Sequence, residues 1–319
     1  MVARNFFRDG MNIIAPRLDD LHPYFEFEFQ VFPYLVAIVY QFFGVKEWLG
    51  RFVAVLFSMG TMGYLYAIGK KYLDQLAALV AVGLFAVLPM AVYYTRTFMP
   101  ESALLFFSVG GLFYWGKWLD SRKMASGCLA ALWFALAVGI KATAVCLVFP
   151  VLWLCKDSIG MKGFRNIWLW LFLVVGFIAP FLWYGFIGSK APTELGGVWL
   201  SNDKLIGFEY LLRFKFYRLI FLTRLGEKMF AFGAYPLVLA GVVLAVRHPR
   251  MHFLLAWIGG VVLFFFIVAK GNYIHEYYQL PIVPVGCLMA GLAVSEAFRR
   301  ARRRSVSPLR SKWIWGMSM

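Results

Sequence analysis

Side chains that could take part in catalysis or ligand binding gather at four places in this 319-residue sequence. The first is residues 24–29, where Glu26 and Glu28 alternate with aromatic residues shortly before Pro33 and an apolar stretch. If this segment is extended, the alternation places both carboxylates on one side and the rings on the other. Carboxylates placed in this way could take part in a functional site. A solvated loop whose rings lie in a membrane interface would show the same pattern, and both interpretations stay open.

The second and third places join acids with cations. Residues 93–101 hold Arg96 and Glu101, and Pro100 fits the first turn of a following helix. There Glu101 could simply favour the helix dipole, or the acid and Arg96 could together hold a metal or an anionic head group. Lys141 is a lone cation between two apolar stretches. It must reach water or pair with an anion, and a phosphate would be a suitable partner.

The fourth place, residues 270–281, contains Lys270, His275 and several tyrosines. A single histidine at a membrane interface is more often a hydrogen-bonded structural group than a ligand. No second histidine lies at ligand spacing, so the pattern alone does not indicate a zinc site.

The elements that must position these residues are membrane helices. Hydrophobic residues make up 62% of the chain and charged residues 15%, and the mean hydropathy is +0.71. Soluble domains are roughly 45–50% apolar and about 25% charged. Too little polar surface remains to cover a soluble globule, which excludes a soluble enzyme, a secreted disulfide scaffold and a disordered chain. The four cysteines lie in or beside apolar runs without CxxC spacing, so we expect them to be packing residues.

Nine transmembrane helices account for the apolar runs, since one span needs about 20 residues. The run 125–155 is too long for one crossing and contains Lys141, so we predict two helices that turn there. The predicted spans are 51–69, 75–94, 102–119, 125–140, 142–155, 167–188, 230–247, 253–269 and 279–297. The fold class is therefore an all-α polytopic membrane protein.

Charge placement predicts the orientation of these spans. The net charge is +16, and Lys and Arg concentrate in segments that nine crossings place on one side. The short turns of the other side hold only Arg96, Lys141 and Lys270. The first side is therefore cytoplasmic, and the basic tail 298–319 is expected to contact membrane lipids and no nucleic acid. The transmembrane domain is 51–297, and the long outer segments 1–50 and 189–229 are expected to form amphipathic helices.

Short motifs in a fixed order along nearly the whole chain resemble those of the C-type (GT-C) polytopic glycosyltransferases. The resemblance is to the bacterial protein O-mannosyltransferase-like and aminoarabinose-transferase-like enzymes. The motifs are Ala3-Arg4-Asn5-Phe6-Phe7, Glu28-Phe29 before an amphipathic helix, the turn from Arg96 to Glu101, Gly139-Ile140-Lys141, and His275 to Pro281. The resemblance implies transfer of a hexose or pentose from a polyprenyl-phosphate donor to an acceptor. It places that reaction at the periplasmic face of a bacterial inner membrane.

The resemblance also implies roles for individual residues. Glu28 matches the acid before the amphipathic helix and Glu101 the acid of the second turn, so both are expected to be catalytic. Glu26 has a weaker claim. A divalent metal would be held by Glu28 and Glu101, with His275 as a third candidate ligand. The basic residues expected to hold the donor phosphate are Arg4, Arg96, Lys141 and Lys270.

Two features depart from the family pattern. This chain has Gln30 where the family usually has proline. The family's first transmembrane helix and an acidic catalytic residue would fall upstream of Met1, so we expect either a longer protein or an inactive paralogue. A transporter or flippase of lipid-linked sugars is a further alternative, which would require polar residues at mid-span and inverted repeats. Because the ionisable residues crowd the outer rim, we favour the glycosyltransferase.

Overall fold

The computed structural model describes residues 1–16, 28–190 and 207–315, and these residues form helices and no strands. The all-α polytopic fold class is therefore confirmed. The first eight helices are α1 Val2–Asp9, α2 Val31–Phe43, α3 Glu47–Tyr72, α4 Gln75–Val87, α5 Pro89–Arg96, α6 Glu101–Ser121, α7 Met124–Ile140 and α8 Val148–Ile159. The others are α9 Ile167–Leu173, α10 Pro180–Lys190, α11 Phe208–Leu211, α12 Phe214–Tyr217, α13 Tyr235–Val246, α14 His252–Ile267, α15 Ala269–Ile274 and α16 Ile282–Trp315. A π-helix runs from Arg218 to Met229.

Every predicted span overlaps helical structure, but the count of nine is not confirmed. Among the described residues, five helices are long and apolar enough to cross a membrane, or six if the pair α4 and α5 forms one bent span. That pair bends by 65° because Pro89 cannot continue the hydrogen-bond ladder of α4. Helices α7 and α13 have 17 and 12 residues, fewer than the roughly 20 that a full crossing requires.

The predicted division of residues 125–155 at Lys141 is confirmed. Helix α7 ends at Ile140, Lys141 has an extended backbone, and a 3-10 turn at Ala142–Leu147 leads into α8. The break lets the charged side chain leave the apolar run and turn toward other polar groups.

Helix α6 is the central element of the bundle, and most of its residues are buried. It packs against α3 and α7 through an aromatic cluster in which Phe106 and Phe107 contact Phe57 and Trp133. Aromatic pairs of this kind add packing energy beyond the area that they bury. The N-terminal residue of α6, Glu101, is thereby fixed relative to the neighbouring helices.

The segments predicted to share the cytoplasmic side meet at one end of the bundle. Lys71 at the end of α3 forms an ion pair of 2.5 Å with Asp120 at the end of α6. Asp74 caps α4 by accepting the Ala77 N–H at 2.8 Å and accepts the Ser295 hydroxyl of α16 at 2.6 Å. Burial opposes ionisation of Asp74, but these hydrogen bonds and the nearby Arg299 hold the pKa of its carboxyl below the ordinary value.

The described parts of the two long segments that were predicted to be outer contain helices, as expected, but in short pieces. Helix α1 packs against α2 and buries Ala3 and Phe6. In the second segment α11, α12 and the π-helix follow one another; Leu212 is exposed, whereas Phe216 and Ile220 are buried. The π-helix packs against α5 and α15, and α11 also packs against α15.

Candidate active site

Lys141 is the centre of a buried charge cluster. Its ammonium donates a short hydrogen bond to Oε1 of Glu101, and its Nζ lies 3.9 Å from Oε1 of Glu28. The Glu101 and Lys141 side chains are 0% and 7% exposed, whereas that of Glu28 is 22% exposed. Glu28 is therefore the member of this cluster that a substrate can reach most easily. The structure thus brings together three of the residues that the sequence indicated.

Local backbone contacts explain how residues so far apart in sequence meet. The Phe29 N–H donates to the Gly139 carbonyl at 2.8 Å, which ties the neighbour of Glu28 to the turn at Lys141. The Tyr184 hydroxyl donates to the Val138 and Gly139 carbonyls at 2.9 and 3.0 Å. The C-terminal end of α7 is thus held from two sides, and Lys141 projects from it toward Glu28 and Glu101.

The charges of this cluster do not cancel among its three members, since two carboxylates face one ammonium. Glu101 stands in the first turn of α6, where the helix dipole favours a negative charge. Its second oxygen, Oε2, is buried and has no hydrogen-bond partner among the described residues. A buried polar atom without a partner is costly. Oε2 of Glu101 can therefore accept a further hydrogen bond that none of the described residues donates.

Two tyrosines close the cluster from the segment after α15. The ring of Tyr277 lies 4.1 Å from the Lys141 ammonium, measured to the ring centroid, which is a cation–π contact. Burial, with a smaller contribution from Tyr277, raises the pKa of Tyr278 to about 12. The Tyr278 phenol therefore keeps its proton at physiological pH and is able to act as a hydrogen-bond donor.

A second charged pair lies next to the first cluster. Lys228 of the π-helix donates to Glu276 at 2.5 Å, and the Tyr94 hydroxyl lies 3.5 Å from the other oxygen of Glu276. The Tyr94 and Tyr277 rings are 6.2 Å apart, so the tyrosines connect the two charged groups. The Lys228 side chain is 45% exposed.

Glu28 also lines an open cavity of about 240 Å³. The ring of Phe98 forms one wall and packs so closely on Gly50 that a methyl group at that position would overlap it. The other residues that line the cavity are Met1, Val2, Phe29, Gln30, Pro33 and Pro100. The cavity therefore presents a carboxylate within largely apolar walls.

Of the other predicted phosphate ligands, Arg96 and Lys270 form no ion pair with the described members of this cluster. Arg96 is exposed at the end of α5, and Lys270 is half-buried in α15; neither forms an ion pair with a described residue. Arg4 is an exposed residue of α1. The His275 ring packs against the rings of Tyr277 and Tyr278 at 5.1 and 5.3 Å. The candidate Glu26 lies outside the described residues.

The predicted metal ligands do not form a metal site in the part of the chain that the structure describes. Within those residues, no three His, Cys, Asp or Glu side chains are grouped so that they could hold an ion. Glu28 and Glu101 instead share the Lys141 ammonium, which supplies positive charge between them. The described donor set therefore does not fit a divalent metal held by Glu28, Glu101 and His275.

Sequence reasoning missed Arg224, Asn272 and Gln279, which form a buried polar network behind the tyrosines. Arg224 stands in the apolar stretch 219–225 and is a lone cation there, which is the signal that singled out Lys141. The network is described below.

Comparison with known proteins agrees with the sequence resemblance. Residues 27–184, about half of the chain, match the family model described as dolichyl-phosphate-mannose-protein mannosyltransferase. This region contains Glu28, Glu101 and Lys141. No match was found among curated proteins.

Solved structures with a similar fold include ArnT from Cupriavidus metallidurans bound to undecaprenyl phosphate. It is 18% identical, with a TM-score of 0.67 over 92% of this chain and 54% of that one. The Archaeoglobus fulgidus oligosaccharyltransferase in complex with Zn and sulfate is 15% identical, with a TM-score of 0.58 over 98% of this chain and 46% of that one. The chain thus spans about half the length of these proteins.

Proposed function

We propose that this chain transfers a sugar from a polyprenyl-phosphate donor, because residues 27–184 match the mannosyltransferase family model and its fold is similar to that of ArnT. The buried Lys141, placed between Glu28 and Glu101 at one end of the bundle, is the observation that carries the proposal. The undecaprenyl phosphate in the ArnT structure supports a lipid-linked donor. Membrane lipids surround the bundle. The family resemblance places the acceptor on the periplasmic face of a bacterial inner membrane, and the charge asymmetry places this end of the bundle on the outer side.

Glu28 and Lys141 have separate roles in the proposed reaction. An acceptor oxygen attacks the anomeric carbon of the sugar, the bond from that carbon to the phosphate oxygen breaks, and the phosphate leaves with the electron pair. Glu28 takes the acceptor proton because it is the accessible carboxylate and lines the cavity. Lys141 offers its positive charge to the departing phosphate, where a preorganised cation is worth more than in water.

Glu101 acts as a positioning residue in this scheme. Its side chain is fully buried and its Oε1 accepts from the Lys141 ammonium, so it holds the cation and does not touch substrate. Arg96, Lys270 and Arg4 are further candidates for the donor phosphate, since all three are basic residues of the proposed outer side.

Sugar release from a lipid-linked donor tests the proposal. The purified protein in nanodiscs is incubated with a panel of undecaprenyl-phosphate sugars and a membrane extract as the acceptor source. Undecaprenyl phosphate formed and sugar transferred are then measured by mass spectrometry. We expect Glu28→Gln to lower the rate by about 10²–10⁴, the usual contribution of a general base.

The matched control is Glu47→Gln, because Glu47 is 90% exposed at the start of α3. Its activity should equal that of the unmodified protein. Equal rates for Glu28→Gln and the control would remove Glu28 from the reaction. Movement of the intact donor from one leaflet to the other in sealed proteoliposomes, without cleavage of its sugar bond, would instead establish the flippase alternative.

A further inference from the structure

Arg224 is a buried cation that no carboxylate pairs with directly in the described parts of the chain. It stands in the π-helix Arg218–Met229 and is 7% exposed. Its guanidinium instead donates to the Asn272 carbonyl, and to the Tyr273 carbonyl at 2.8 Å. A longer bond of 3.4 Å reaches Oε1 of Gln279. Burying a guanidinium is costly unless it is hydrogen-bonded. The hydrogen bonds of Arg224 therefore show which segment of the fold this residue stabilises.

The carbonyl groups that Arg224 binds lie at the C-terminal end of α15. The last carbonyls of a helix have no partner within the helix, and a cation placed there is favourable. Gln279 holds the bend formed by residues 272–279 from its C-terminal end. Its amide donates to Oδ1 of Asn272 at 2.7 Å and to the His275 carbonyl at 3.3 Å. Both ends of the segment 272–279 are therefore fixed by one network.

Tyr277 lies inside this fixed segment. The Lys141 ammonium lies over the face of the Tyr277 ring, and it also contacts the carboxylates of Glu101 and Glu28. The position of the ring depends on the bend from residue 272 to residue 279, which Arg224 and Gln279 hold. Arg224 is thereby linked to Lys141 although no contact joins the two side chains.

We propose that Arg224 is a positioning residue that holds the Tyr277 ring over Lys141 and so keeps the ammonium shielded and in place. For its catalytic meaning the inference rests on the proposed function, in which Lys141 faces the donor phosphate. The aromatic face stabilises the cation without using its N–H groups, which stay available to carboxylate or phosphate oxygens. The planar guanidinium of Arg224 binds the Asn272 and Tyr273 carbonyls at the same time through two different nitrogens. A lysine has a single nitrogen and could not hold both in this geometry.

Chemical labelling of Lys141 tests the inference without any donor. The protein in nanodiscs is treated with an amine-reactive ester, and acylation of Lys141 is followed over time by peptide mass spectrometry. We expect Arg224→Gln and Tyr277→Leu each to raise the labelling rate about tenfold, the effect of losing a desolvated cation–π contact. Tyr277→Phe keeps the ring and should label at the unmodified rate.

The double variant distinguishes positioning from general loosening. If Arg224 acts through Tyr277, Arg224→Gln combined with Tyr277→Leu should label no faster than either single variant. Arg218→Gln is the matched control, because Arg218 is an exposed arginine of the same π-helix, and it should have no effect. Should Arg224→Gln fail to fold, Gln279→Leu removes the other anchor of the bend and is expected to expose Lys141 in the same way.

Two results would overturn the inference: unchanged labelling of Lys141 in Arg224→Gln, or effects of Arg224 and Tyr277 that multiply in the double variant. Neither result bears on sugar transfer. Conversely, labelling as expected in a protein that cleaves no lipid-linked sugar would keep the positioning role and reject the proposed function.

Discussion

Replacing Lys141 by methionine is the most severe perturbation of the buried cluster, because it leaves Glu101 without its ammonium. The Glu101 side chain is 0% exposed, and removing one partner of a buried ion pair costs about 3–5 kcal/mol. We therefore expect Lys141→Met to lower the free energy of unfolding by about 3–5 kcal/mol.

A second variant shows whether the loss comes from the unpaired carboxylate. Lys141→Met combined with Glu101→Leu should recover most of the stability, since apolar side chains often replace a buried ion pair without cost.

Reversible unfolding by SDS in mixed micelles, followed by tryptophan fluorescence, measures these differences. Lys71→Met is the matched control, because the Lys71–Asp120 pair is 35% and 60% exposed and such pairs contribute about 1 kcal/mol or less. If Lys141→Met cost no more than the control, the cluster would not be buried as the structure shows. A double variant as unstable as the two single losses combined would refute the pairing itself.

Three other changes have expected outcomes. Asp74→Ala removes the cap of α4 and should lower the free energy of unfolding by about 1 kcal/mol. Because the pKa of Asp74 is lowered in the folded protein, the stabilisation by its carboxylate is present above pH 4 and is lost in more acidic solution. Gly241→Ala would place a methyl group against the backbone of α16 and should lower the thermal midpoint, whereas Gly259→Ala meets nothing within 4 Å and should be neutral or stabilising. An impermeant maleimide applied to intact spheroplasts should label Ile274→Cys, which is 56% exposed, and not Ser121→Cys; the reverse pattern would invert the assigned orientation.

The helical bundle was predictable from composition, but the number of spans was not. Apolar runs mark where helices occur, and the charge of Lys141 correctly marked the break between α7 and α8. Window hydropathy does not show where a helix ends. The bend at Pro89 and the short helix α13 are decided by backbone geometry and packing, so the expected nine crossings were not confirmed.

The candidate site could be predicted as single residues but not as an assembly. Glu28 stood out by its alternation with aromatic residues, Glu101 by its place in the first turn of a helix, and Lys141 as a cation between apolar helices. Their mutual pairing depends on contacts such as that of Phe29 with Gly139, which no spacing in the sequence encodes. Arg224 is also a lone cation in an apolar stretch, but the sequence does not show its role, because its partners include backbone carbonyls of a distant segment.

Binding of undecaprenyl phosphate, compared with undecaprenol, tests the central claim most directly. The two lipids share one hydrocarbon chain and differ in the phosphate, so native mass spectrometry of the protein with each isolates the contribution of the head group. We expect a clear preference for undecaprenyl phosphate that Lys141→Met abolishes and the control Lys71→Met retains. Equal binding of the two lipids, or a preference that survives in Lys141→Met, would contradict a phosphate site at Lys141.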